Sequence, residues 1–161
     1  MMPRCDPHGV FRDQRGLAMV EFAIAVPVIL LLMFGSFEFG HLMIEYSALN
    51  DGVRNAARYV AGAALQGTAD TMVTGSPGWT NLVQQGQNLA VFGNIGGTGS
   101  AIIPGLTTGE ITVSQDTVNR NITVAAAYPY TSLFGGAIPT FTGGSISTAY
   151  TLKISTTMRA L

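Results

Sequence analysis

Leu17–Phe37 reads LAMVEFAIAVPVILLLMFGSF, an apolar run broken by one ionisable side chain, Glu21. At 1.5 Å of rise per residue, about 21 helical residues cross a hydrocarbon core of roughly 30 Å. The run predicts a transmembrane helix. A secretory signal peptide has a shorter apolar stretch, about 7–15 residues, and ends in a small-residue cleavage site. A buried helix of a soluble protein rarely needs so many uninterrupted apolar positions. Pro27 removes one backbone hydrogen bond inside the run, so a mild kink or local unwinding is expected there.

Flanking charge sets the orientation. Arg4, Arg12 and Arg15 precede the run and no Lys or Arg follows until Arg54, so the N-terminus is expected in the cytoplasm and the remainder exported. Residues 1–16, MMPRCDPHGVFRDQRG, are polar and broken by Pro and Gly, and read as a disordered cytoplasmic leader. Cys5 is the sole cysteine, so no disulfide can staple the exported part. A formal net charge of -1 with no cluster of Lys and Arg offers nothing to nucleic acid.

Beyond Phe37 the apolar density falls while the helical period persists. Leu42, Tyr46, Leu49, Val53, Ala56, Val60 and Ala63 alternate spacings of four and three, which predicts a helical seam. Glu45, Asp51, Arg54, Asn55 and Arg58 fall on the opposite, polar face. The expected organisation is a leader (1–16), a transmembrane helix (17–37), a stalk (38–64) and a small exported α+β domain (65–161). In the last of these, a short helix is expected over 80–90, weakened by Gly86. Alternating Ile111 and Val113, Ile122 and Val124, and the Thr- and Ile-rich stretch 146–158 predict a small antiparallel sheet. FGGAIPTFTGG, Phe134–Gly144, is expected to connect its last two strands.

Chemistry-bearing residues are sparse. His8 and His41 are the only histidines and neither lies beside a second ligand at metal-binding spacing, so no metal or cofactor is expected. No imidazole base is in prospect for a Ser or Asp of the exported part, which argues against a hydrolase triad. Glu110 and Asp116 could meet across a hairpin as a carboxylate pair, a weak signal in a chain not expected to be an enzyme.

Glu21 is the residue that needs explaining. A carboxylate in a membrane helix costs roughly 2.5–3.5 kcal/mol, least near the edge, and defaults to a functional role with a cationic partner. One reading leaves it at the interface, protonated, snorkelling or paired with Arg15. The other has the chain cut after Gly16, which creates an α-amine on Leu17 about 6 Å from Glu21 along one helix face. In a bundle of parallel helices that amine could pair with Glu21 of a neighbour only in the correct register.

Gly16 followed by Leu17, Ala18, Met19 and Val20, then Glu21 and Phe22, resembles the prepilin peptidase site of the tight-adherence (Flp) pilus system. The longer stretch GLAMVEFAIAVPVILLLMFGSFEFG and VRNAARYVA at Val53–Ala61 are similar to the TadE-like pseudopilins of that system. NLAVFGN at Asn88–Asn94, PGL at Pro104–Leu106 and STTMR at Ser155–Arg159 fit the same pattern more weakly. The resemblance implies that Gly16 and Leu17 flank the scissile bond and that Glu21, followed by Phe22, is required for processing or assembly. It also implies a minor pilin of a type IVb-like pilus or type II secretion-like machine, held in a bacterial inner membrane. Its partners would be a prepilin peptidase, other pilins and the assembly platform, with a role in cell adhesion and no small-molecule substrate. Glu38, in FEFG, matches the family too, although an interfacial residue would look the same. The alternative function is an uncleaved signal anchor that tethers an envelope binding domain.

Overall fold

The computed structural model describes residues 15–66, 71–75, 77–140 and 143–160. Residues 1–14 of the expected leader (1–16) lie outside them, as does Asp70, whereas Arg15 and Gly16 belong to the first helix. Helix α1 runs from Arg15 to Ala63, 49 residues, or about 74 Å at 1.5 Å each. It continues through Pro27, so the expected local unwinding is absent: the ring sits in a helix that stays helical on both sides. The backbone carries no mark between span and stalk.

The two halves of α1 differ in what surrounds them. From Leu17 to Leu30 no residue is buried; Leu17, Met19, Phe22 and Ile24 are each at least 66% exposed. From Leu49 onward the helix has a buried stripe, Leu49, Val53, Ala56, Ala57, Val60 and Ala61, which Ala64 continues just past its end. The expected seam holds at Leu49, Val53, Ala56 and Val60. It fails at Tyr46 and Ala63, which are exposed, while Glu45, Gly52, Ala57 and Ala61 beside the expected line are buried. Asp51, Arg54, Asn55 and Arg58 are exposed as expected, whereas Glu45 is buried.

After α1, β1 (Leu65–Gln66) and β2 (Thr71–Met72) form a short antiparallel pair. Helix α2 (Gly78–Phe92) is longer than expected and packs on α1. The crossing is close. A Cβ on Gly86 would stand 2.6 Å from Cγ2 of Val60, and one on Gly52 would stand 2.7 Å from the Ala90 carbonyl oxygen. Gly86, a poor helix former, is thus where α1 and α2 touch.

The sheet has the order β3-β4-β7, antiparallel throughout: β3 (Ile111–Asp116), β4 (Asn121–Pro129) and β7 (Thr151–Arg159). Register aligns Ile111 with Ala126 and Ala126 with Ile154, and Tyr128 with Leu152, so apolar rows cross one face. That face packs on α1 and, at β3, on α2. The opposite face carries Thr112, Ser114, Lys153, Ser155 and Thr157, the alternation of a sheet with one wet side. Between β4 and β7 the chain forms a separate hairpin, β5 (Ala137–Pro139) with β6 (Ser145–Ser147). The architecture is α+β, a long apolar helix followed by a small domain with an antiparallel sheet.

Candidate functional site

Gly16, Leu17, Glu21 and Phe22 lie on the first two turns of α1, all exposed. The helix already includes Gly16, so the Gly16–Leu17 bond sits in an opening turn whose N–H groups have no intrahelical acceptor and which frays easily. Among the described residues no hydrogen bond or ion pair engages the Glu21 carboxylate. Four residues separate Leu17 from Glu21 on one continuous helix, which sets an amine created at Leu17 about one turn from that carboxylate.

A second cluster, not anticipated as a unit, forms farther along α1. Glu38 and Glu45 are 3% and 5% exposed, and with Gly52 they recur every seven residues on one face of the helix. His41 lies between them, its Nε2 3.6 Å from Oε1 of Glu45. Its Nδ1 lies 3.1 Å from the hydroxyl of Tyr130. That hydroxyl also reaches the backbone carbonyl of Glu38, at 3.4 Å. With that hydroxyl donating to the carbonyl, His41 Nδ1–H donates to the tyrosine oxygen. Tyr130 stacks on Tyr150 with ring centroids 5.6 Å apart and planes within 8°. The Tyr130 N–H donates to the Tyr150 carbonyl at 2.9 Å, closing the neck between sheet and hairpin.

Burial sets the electrostatics of this cluster. It pushes the Tyr130 hydroxyl well above its ordinary range, reinforced by Glu38, Glu45 and Tyr150, so the group remains a proton donor. Burial also raises the Glu45 carboxyl; His41 and Tyr128 oppose the shift and Glu38 adds to it. Both Glu38 oxygens and Oε2 of Glu45 are buried without a hydrogen-bond partner. A carboxyl that binds its proton more tightly folded than unfolded stabilises the fold at low pH and loses that contribution as pH rises from about 4.5 through its raised value. Glu45→Gln is therefore expected to flatten the stability–pH curve above pH 4.5 and to be the more stable form at pH 8. Urea unfolding of the detergent-solubilised protein at a series of pH values checks this, and an unchanged slope would remove Glu45 from the account.

The sequence carried a signal for this cluster in the spacing of Glu38, Glu45 and Gly52. The helical period puts Glu45 on the polar face, because charge ordinarily marks the wet side of a helix. Here β4 and the neck tyrosines cover it.

Glu110 and Asp116 do not form a pair. They flank opposite ends of β3, and each serves a turn: Glu110 accepts the Thr107 N–H at 2.8 Å. Asp116 accepts from the N–H groups of Val118 and Asn119 at 3.0 and 3.1 Å, and from the Asn119 side-chain amide. Among the described residues no group of three or more His, Cys, Asp and Glu could hold a metal ion.

Taken together, the helix and its sites define a class: a protein with one N-terminal helix long and apolar enough to cross a membrane, carrying a small α+β domain at its far end. The apolar window within Gly16–Ala63 has a mean hydropathy of 2.6 and none of it is buried in the chain. Residues 16–58, a segment that holds Gly16, Glu21, Glu38 and Glu45, match the model of a family described as TadE-like protein and are similar to it over that stretch. That agrees with the resemblance read from the sequence; the weaker motifs at Asn88–Asn94, Pro104–Leu106 and Ser155–Arg159 lie beyond the matched stretch. No curated protein and no solved structure matches the chain.

Proposed function

We propose that this chain is a minor pilin of a tight-adherence pilus or related secretion-like machine, processed by a prepilin peptidase after Gly16, and that it is not an enzyme. The observation that carries the reading is the bare apolar surface of α1 from Leu17 to Leu30, interrupted only by Glu21, within the TadE-like stretch. Such a surface has two suitable environments, lipid before assembly and the helices of sister subunits after it. Van der Waals packing between helices drives the exchange, because lipid and leucine are equally apolar. The carboxylate contributes register: an amine on Leu17 of one subunit neutralises Glu21 of the next when the two helices are correctly staggered. The described residues leave Glu21 open to such a partner.

The orientation follows the arginine asymmetry, with the N-terminus in the cytoplasm and the α+β domain outside the inner membrane. The assembly platform and other pilins are the expected partners. Terminal sequencing or intact mass of the membrane-extracted protein, with and without the peptidase, tests the central step. A mature chain that starts at Leu17 only when the peptidase is present is the expected result. A chain that keeps its leader beside an active peptidase would instead make α1 an uncleaved anchor for an envelope binding domain.

A further inference from the structure

Asn121–Leu152 contains no Asp, Glu, Lys, Arg or His, although all of it lies outside α1. Its central part leaves the sheet at Tyr130, forms the β5–β6 hairpin and returns at Tyr150. The excursion leans along α1 toward the membrane end. The rings of Phe134 and Phe34 meet at 5.2 Å between centroids. A cleft of about 540 Å³ separates helix from hairpin, walled by Leu31, Leu32 and Gly35 on one side and by Ile138 and Ile146 on the other, with Glu38 toward its outer end. Leu133 and Ile146 are 55% and 52% exposed, and Tyr150 is 46% exposed at the neck.

Position along α1 identifies what covers these groups. If the hydrocarbon core ends near Phe37, Leu31 lies about 9 Å inside it on a 1.5 Å rise. The hairpin that faces Leu31 and Phe34 then shares their depth, within the roughly 5–10 Å reached by interfacial membrane elements. We propose that the β5–β6 hairpin is a second membrane element, seated in the outer leaflet of the bilayer that α1 spans, with a lipid acyl chain in the cleft between them. The apolar end of the cleft points into the membrane and its polar end, Glu38, points out. Tyr130 and Tyr150 stand at the neck, the level at which aromatic side chains with a polar edge collect at a bilayer surface. The absence of charge from Asn121 to Leu152 is what lets the segment enter without the cost of a desolvated ion. With two attachment points the globular domain is fixed in tilt as well as in height above the membrane.

This inference rests on the reading of α1 as a membrane span, and the test separates the two. The full chain, with Trp79 replaced by Phe, is reconstituted into phosphatidylcholine vesicles whose acyl chains carry bromine at shallow or deep positions. Single tryptophans are introduced by Ile146→Trp and Leu133→Trp in the hairpin, Ile29→Trp in the span and Val118→Trp in the distant β3–β4 turn. The expected result is that the hairpin tryptophans lose most of their emission to shallow bromines, Ile29→Trp loses it to deep ones, and Val118→Trp, at a position 88% exposed, is quenched by neither. Quenching at position 29 without quenching at 133 and 146 overturns the hairpin proposal and leaves the span intact. Hairpin tryptophans shielded from an aqueous quencher yet untouched by bromine would mean that another polypeptide covers them, which also overturns it. Loss of quenching at position 29 as well removes the span and the hairpin together.

Discussion

Gly52→Val is expected to destabilise the exported domain by about 2–3 kcal/mol, the usual cost of forcing atoms into a packed site. The added Cβ would lie 2.7 Å from the Ala90 carbonyl oxygen and 2.9 Å from Cδ1 of Ile102. The isoleucine methyl can rotate away, but the carbonyl belongs to the backbone of α2 and cannot move without shifting the helix. Gly86→Val meets a comparable obstacle, since its Cβ would approach Val60, a fully buried β-branched residue with little rotamer freedom. The control is Gly62→Ala on the same helix, where nothing lies within 4 Å; there the substitution is expected to be neutral or to stabilise by about 0.5–1 kcal/mol, because alanine loses less backbone entropy on entering a helix. Urea unfolding in detergent, followed by the fluorescence of the half-buried Trp79, distinguishes the variants. Equal stability of Gly52→Val and the parent chain would mean that α1 and α2 do not cross in this way.

Glu21→Ala is expected to abolish incorporation into pili while leaving membrane insertion intact. Removing a carboxylate from an apolar helix makes insertion easier, by less than the roughly 2.5–3.5 kcal/mol that a central charge costs, because Glu21 lies about one turn inside the end of the run. A structural role for Glu21 within the subunit would therefore show as a loss of folding, and a role between subunits as a loss of assembly alone. The exposure of Glu21 on the helix favours the second. Glu21→Asp keeps the charge but withdraws it by one methylene, so partial assembly is expected if distance to a neighbouring amine matters. Fractionation of membranes and sheared pili from cells carrying each variant reads both outcomes. Normal pili containing Glu21→Ala subunits would end the register argument.

The two experiments probe opposite ends of one helix, and the division between them is physical. From Leu17 to Leu30, α1 has no buried residue, so the behaviour of this stretch depends on local sequence and the medium around it. The C-terminal half is held by α2 and the sheet, where one misplaced methyl group is felt. The cluster of Glu38, His41, Glu45, Tyr130 and Tyr150 lies at the transition, where polar side chains of the helix are closed over by the neck of the hairpin excursion.

The sequence alone determined the long apolar helix, the exposed face at Asp51, Arg54, Asn55 and Arg58, the β3 and β4 strands, and Gly16–Phe22 as the stretch to test. Each rests on a pattern within a few residues: an uninterrupted apolar run, a helical period, an alternation, a carboxylate where lipid is expected. Tertiary structure decided what those patterns leave open. The burial of Glu38 and Glu45 depends on Tyr130, just past β4, and its neighbours, some ninety residues later in the chain. The value of Gly86 depends on Val60 across the helix crossing. The separation of Glu110 from Asp116 depends on β3 being extended between them. The place of Phe134 and Ile138 against the helix depends on where β4 ends. Hydrophobic period is encoded locally, but the partner that covers a given face is chosen by the path of the chain, and no spacing rule reaches across ninety residues to name it.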